Sequence, residues 1–69
     1  MKNNRVVFGV ENKNGKFWVW NMTSYNNGTW SSHKVSEKFD TYEEAVAEAK
    51  RQAQCPEFNN WMVSFYNIK

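Results

Sequence analysis

The chain has 69 residues, nine of them Lys or Arg and seven Asp or Glu, for a net charge of +2. That length holds one domain, and that balance excludes both a highly charged tail and a histone-like polybasic binder. Aromatic residues make up 17% of the chain, with four Trp, three Tyr and five Phe, so a packed core is expected rather than a disordered segment.

The start, Met1-Lys2-Asn3-Asn4-Arg5, leads into the short apolar run Val6-Val7-Phe8. A signal peptide needs a longer apolar region, and a membrane span needs about 20 apolar residues. One cysteine, Cys55, allows no internal disulfide. A cytoplasmic protein with no membrane contact is expected.

Arg5 to Glu11 reads as a first strand and Phe17 to Thr23 as a second. Between them lies Asn14-Gly15, and a second such pair, Asn27-Gly28, follows. Both residue types tolerate positive φ, so each pair signals a hairpin turn. The first turn allows two registers. A two-residue turn pairs Lys13 with Lys16 and puts Val6, Phe8 and Val10 on one face with Phe17, Val19 and Asn21. A three-residue loop pairs Asn12 with Lys16 and gathers Val6, Phe8, Val10, Trp18, Trp20 and Met22 instead. The second separates apolar from polar more cleanly and is preferred. A third strand runs from near Trp30 to near Phe39; its polar Ser31-Ser32-His33-Lys34 stretch reads as a sheet edge.

A helix is expected from about Thr41 to Gln54. Thr41 and Glu44 have capping-box spacing, Glu43 and Glu44 suit the positive end of the dipole, and Lys50 and Arg51 suit the other. Tyr42, Ala45, Val46, Ala49 and Ala53 make one face. Pro56 ends the helix. Glu57 to Asn60 is a turn-like link, and Trp61 to Ile68 reads as a fourth strand, parallel to the first and third, on an edge that the sequence leaves open. The whole is a single small α+β domain, residues 1–69, of βββαβ order: a three-stranded antiparallel sheet, one helix on one face, and an additional C-terminal strand.

Chemistry-bearing motifs are few. His33 has no Cys, Asp or Glu at ligand spacing and reads as a surface residue. Cys55 has no base placed to activate it. Ser31 and Ser32 precede His33, but neighbours on a strand point to opposite faces. Glu43, Glu44 and Glu48 read as a solvated helix face, with pairing possible from Glu44 to Glu48 to Arg51 or Gln52. The three glycines form no phosphate loop. An enzyme, a metal site and a cofactor are not expected.

One helix covers one face of a sheet. In the preferred register the other face keeps Val7, Phe17 and Val19, and with Trp30 these are the expected partner-binding residues. A partner protein or a homodimer is expected there. Nucleic acid is the alternative, held by Arg5, Lys13, Lys16, Lys34 and Lys38 with rings from Trp18, Trp20 or Trp30. Acids at Glu11, Glu37 and Asp40 interrupt those bases, so only weak binding is expected.

Gly9-Val10, Gly15-Lys16-Phe17-Trp18, and Phe39-Asp40-Thr41 followed by Glu43-Glu44-Ala45, Ala49 and Ala53 resemble the AP2-type DNA-binding domain and similar integrase N-terminal domains. The resemblance covers about residues 5–54. It implies three antiparallel strands with a helix on one face, and DNA read by arginines and tryptophans on the strands. Those contact residues are mostly not matched: Phe8, Glu11 and Asn12 stand where the family is arginine-rich, and Trp20, Asn21 and Met22 where it favours charge. By analogy, a compact, asparagine-rich single domain with surplus aromatics fits a phage-type accessory or inhibitor protein acting through a protein interface. A DNA-binding domain of AP2-like architecture is the alternative.

Overall fold

The computed structural model describes residues 4–66 and residue 68. Four strands and a helix follow in the order β1 (Arg5–Lys13), β2 (Lys16–Ser24), β3 (Trp30–Lys34), α1 (Tyr42–Ala53) and β4 (Met62–Tyr66), with a short 3-10 turn, Pro56–Phe58, before β4. The strands form one mixed sheet in the order β3-β2-β1-β4. β4 runs parallel to β1 and extends the sheet at that edge, so the sheet is four-stranded rather than an antiparallel trio with an appendage.

The first hairpin takes the two-residue turn. Lys13 pairs with Lys16 and Val10 with Val19. Asn14 and Gly15 both have positive φ, 56° and 76°, as a type I′ turn requires, and that turn matches the twist of the flanking strands. The expected three-residue loop is therefore wrong, and with it the face assignment. Val6, Phe8 and Val10 share the helix side with Phe17 and Val19. Trp18, Trp20 and Met22 lie on the other side.

The second hairpin does not turn on Asn27-Gly28 alone. Ser24 pairs with Trp30, leaving the loop 25–29 between them. Tyr25 N–H donates to Thr29 C=O and Gly28 N–H to Tyr25 C=O, at 2.9 and 3.0 Å. β3 proper ends at Lys34, where the Ser36 hydroxyl accepts the Val19 N–H at 2.8 Å. Regular pairing returns at Phe39, which bridges to Phe17. A serine side chain thus substitutes for backbone in the middle of the expected third strand.

The helix starts where its cap dictates. The Thr41 hydroxyl accepts the Glu44 N–H at 3.2 Å, and the Glu44 carboxylate accepts the Thr41 N–H at 3.2 Å, so two orphan donors are satisfied together. Gln54 caps the other end. Ala45 and Ala49 are fully buried against Val6, Phe8 and Val19. Small side chains there let the helix axis lie close to the sheet. The 3-10 turn and β4 supply the remaining core: Phe8 meets Phe58 edge-on at 5.8 Å and Phe65 at 6.2 Å, and Phe58 meets Trp61 at 5.1 Å.

Candidate functional site: the open face of the sheet

The helix occupies one side of the sheet, and the strand registers assign what lies on the other. β1 contributes Arg5, Val7, Gly9, Glu11 and Lys13; β2 contributes Lys16, Trp18, Trp20, Met22 and Ser24. β3 adds Trp30, Ser32 and Lys34, and β4 adds Met62, Ser64 and Tyr66. Three of the four tryptophans are on this face.

Two of the expected partner-binding residues are not there. Val19 is fully buried under the helix, and Phe17 packs edge-on against Tyr42 of the helix at 6.0 Å. The two-residue turn shifts their parity by one, which moves both to the core side. Val7 and Trp30 remain on the open face, and Trp30 is 67% exposed.

The five basic candidates fare differently. Arg5, Lys13, Lys16 and Lys34 share the open face by register, and Lys38 joins them beside Trp18. All five are exposed. Interrupted in sequence, they are gathered by pairing. Their acidic company is Glu11 and Asp40, and Asp40 is bonded to Lys16. That lysine holds the Asp40 carboxyl below its usual range, by hydrogen bond first and by charge second. Of the five other acids, Glu37 is exposed beside Lys38 in the segment before the helix, and Glu43, Glu44, Glu48 and Glu57 lie on the helix and the 3-10 turn, against two bases, Lys50 and Arg51. Among the described residues the sheet face is the more positive side.

The rings have distinct surroundings. Trp18 is only 4% exposed although nothing of the helix covers it; the Lys34 ammonium sits 4.2 Å from its ring centre and that of Lys38 6.0 Å. This cation–π arrangement fixes the two lysines over the ring. Trp20 lies over Gly9, where a Cβ would come within 2.3 Å of the indole, and it meets Tyr66 at 6.1 Å. Tyr66 is 62% exposed. A shallow groove of about 450 Å³ runs between Glu11, Trp20, Met22, Trp30, Ser32 and Lys34. Such a surface offers flat rings for stacking, sulfur and alkyl groups, and ammonium groups around them.

Tyr66 and Met62 escape a sequence reading because the edge that β4 joins is not written in local pattern. Gly9 is a usable signal: a glycine inside a strand marks a close approach, and here its cross-strand partner is Trp20. His33 is exposed, and its register puts it on the helix side with Asn21. Cys55 is exposed and caps the 3-10 turn. Among the described residues no three His, Cys, Asp or Glu side chains are close enough to hold a metal ion, and no helix is long and apolar enough to cross a membrane. No family model matches this chain, and no curated protein or solved structure is significantly similar to it.

Proposed function

We propose that this is a non-catalytic binding module whose working surface is the open sheet face and whose ligand is single-stranded nucleic acid. One observation carries the reading: the exposed rings of Trp30 and Tyr66 and the half-buried ring of Trp20 share a face with Arg5, Lys13, Lys16, Lys34 and Lys38, while most acids lie on the helix side. Unpaired bases stack on rings, and lysines track phosphates. A duplex hides its base faces, and reading it by edge contacts favours bidentate arginine; Arg5 is the lone arginine on the strands.

A second reading keeps the surface and changes the partner. Val7, Met22 and Met62 lie among the rings, and aromatic and methionine side chains are enriched in protein interfaces. A phage-type accessory or inhibitor protein would use the face in this way.

Fluorescence anisotropy with labelled single-stranded and duplex oligonucleotides across a salt series separates the two. Single strands should bind more tightly than duplex, with little sequence preference and an affinity that falls with salt. Trp20→Ala should weaken binding by about 1–3 kcal/mol through lost stacking, and Lys34→Ala should flatten the salt slope. Absence of binding even at low salt would leave the protein-interface reading in its place.

A further inference from the structure

The outer edge of β4 is unlike the rest of the surface. β4 ends the strand order, and no strand pairs with its far side among the described residues. Its five residues, Met62-Val63-Ser64-Phe65-Tyr66, carry no charge and are all exposed. Edge strands are usually protected by charge, proline or a bulge. β3, at the opposite edge, has Lys34; β4 has no such device.

The backbone direction is fixed by one bond. The Met62 N–H donates to the Asn4 carbonyl at 2.8 Å. Strand alternation then turns the N–H and C=O groups of Met62, Ser64 and Tyr66 toward β1, and those of Val63 and Phe65 outward. An antiparallel partner must meet those two residues. We propose that the partner is β4 of a second copy of this chain, paired about a two-fold axis at Ser64.

In that register Val63 exchanges both backbone hydrogen bonds with Phe65 of the other copy, and Phe65 with its Val63. Ser64 faces Ser64 in a non-hydrogen-bonded pair, where side chains approach most closely, and serine is small enough to allow it. The pairing is complementary on both faces. On the helix side Val63 meets phenylalanine, and on the open side Met62 meets tyrosine; aromatic–β-branched and sulfur–aromatic contacts are both favourable. Registers centred on Val63 or Phe65 also align outward groups, but they leave part of the strand unpaired. The absence of charge removes the like-charge opposition that a two-fold axis would otherwise impose. Two four-stranded sheets would become one of eight strands, with both open faces on the same side and Met62 and Tyr66 at the seam. A pairing this short is small against the roughly 1,600 Å² of a standard interface, so the dimer is reversible and depends on concentration.

Sedimentation equilibrium of the full chain, without nucleic acid, tests this from micromolar to millimolar concentration. The unaltered chain should show a reversible dimer. Ser64→Lys and Ser64→Asp, each at an exposed position, should be monomeric alone and should dimerise when mixed. In a Cys55→Ser background, Ser64→Cys should oxidise to a covalent dimer, whereas Ser32→Cys on the opposite edge strand should not; this arm puts no charge into the strand. A monomer at every concentration would overturn the proposal. So would a dimer that ignores Ser64→Lys, a mixture no different from its components, or equal cross-linking from Ser32→Cys.

Discussion

A Cβ added at Gly9 would meet the Trp20 ring at 2.3 Å, inside any real contact distance. Gly9→Ala must therefore displace the indole or bend the strand, and overpacking of this kind costs about 1–3 kcal/mol. Denaturant unfolding should show that loss, and Trp emission should shift with the ring. Unchanged stability and emission would mean that the indole does not rest on Gly9. Thr41 makes a separate contribution. Its hydroxyl accepts the Glu44 N–H, so Thr41→Ala should lower stability by about 1 kcal/mol, visible as a lower thermal midpoint. Phe17 shows how one residue of register changes a prediction. On an outer face, Phe17→Asp would cost a partner and spare the fold. Against Tyr42, and bridged to Phe39 by backbone bonds of 2.9 and 2.6 Å, it is a core substitution, and the same variant should unfold the chain.

The helix was almost wholly legible in the sequence because its signals are local. Its cap, its charge gradient and the proline beyond it all lie within the segment or next to it, and the expected span of Thr41 to Gln54 includes the two caps observed. The hairpin was not, because two registers of one turn both gave plausible faces. The separation of apolar from polar residues favoured the wrong one. Clean separation is a guide only where the outer face is solvated, and this outer face carries tryptophans. The helix also predicts a pH effect. Glu48 accepts from Arg51 Nε at 2.9 Å and Gln52 Nε2 at 2.7 Å. The Arg51 hydrogen bond first, and that of Gln52 second, hold its carboxyl below the ordinary value of 4.5. A lowered carboxylate contributes stability above its unfolded value and loses it as pH falls through the folded one. The Arg51 end is exposed, so solvent screening keeps the contribution small. Glu48→Gln should flatten the decline of stability on the acid side of pH 4.5 and leave Asp40, also lowered, as a remaining source. A stability–pH curve identical to that of the unaltered chain would exclude this role.

At the scale of the whole molecule, the issue is whether β4 belongs to the fold or is added to it. The AP2-type domain expected from the sequence would end near residue 54, and by that expectation three strands with a helix would make a complete unit. The packing is different. Phe8, fully buried, has Phe58 and Phe65 as ring neighbours, and Trp61 and Ile68 also pack against the core. β1 is central only because β4 covers its second edge. Removing residues after Cys55 would bare one side of Phe8 and open that edge. Apolar burial is worth about 25 cal/mol per Å², and a domain this small has a margin of only about 5 kcal/mol to lose. A chain of residues 1–55 should therefore show no cooperative thermal transition and poor amide dispersion by NMR. Residues 56–69 supplied as a separate peptide should restore both, since they bring back the rings and the strand together. A truncated chain that unfolds cooperatively by itself would make the three strands and helix autonomous, and β4 would then be an edge that the domain acquired rather than one that its core requires.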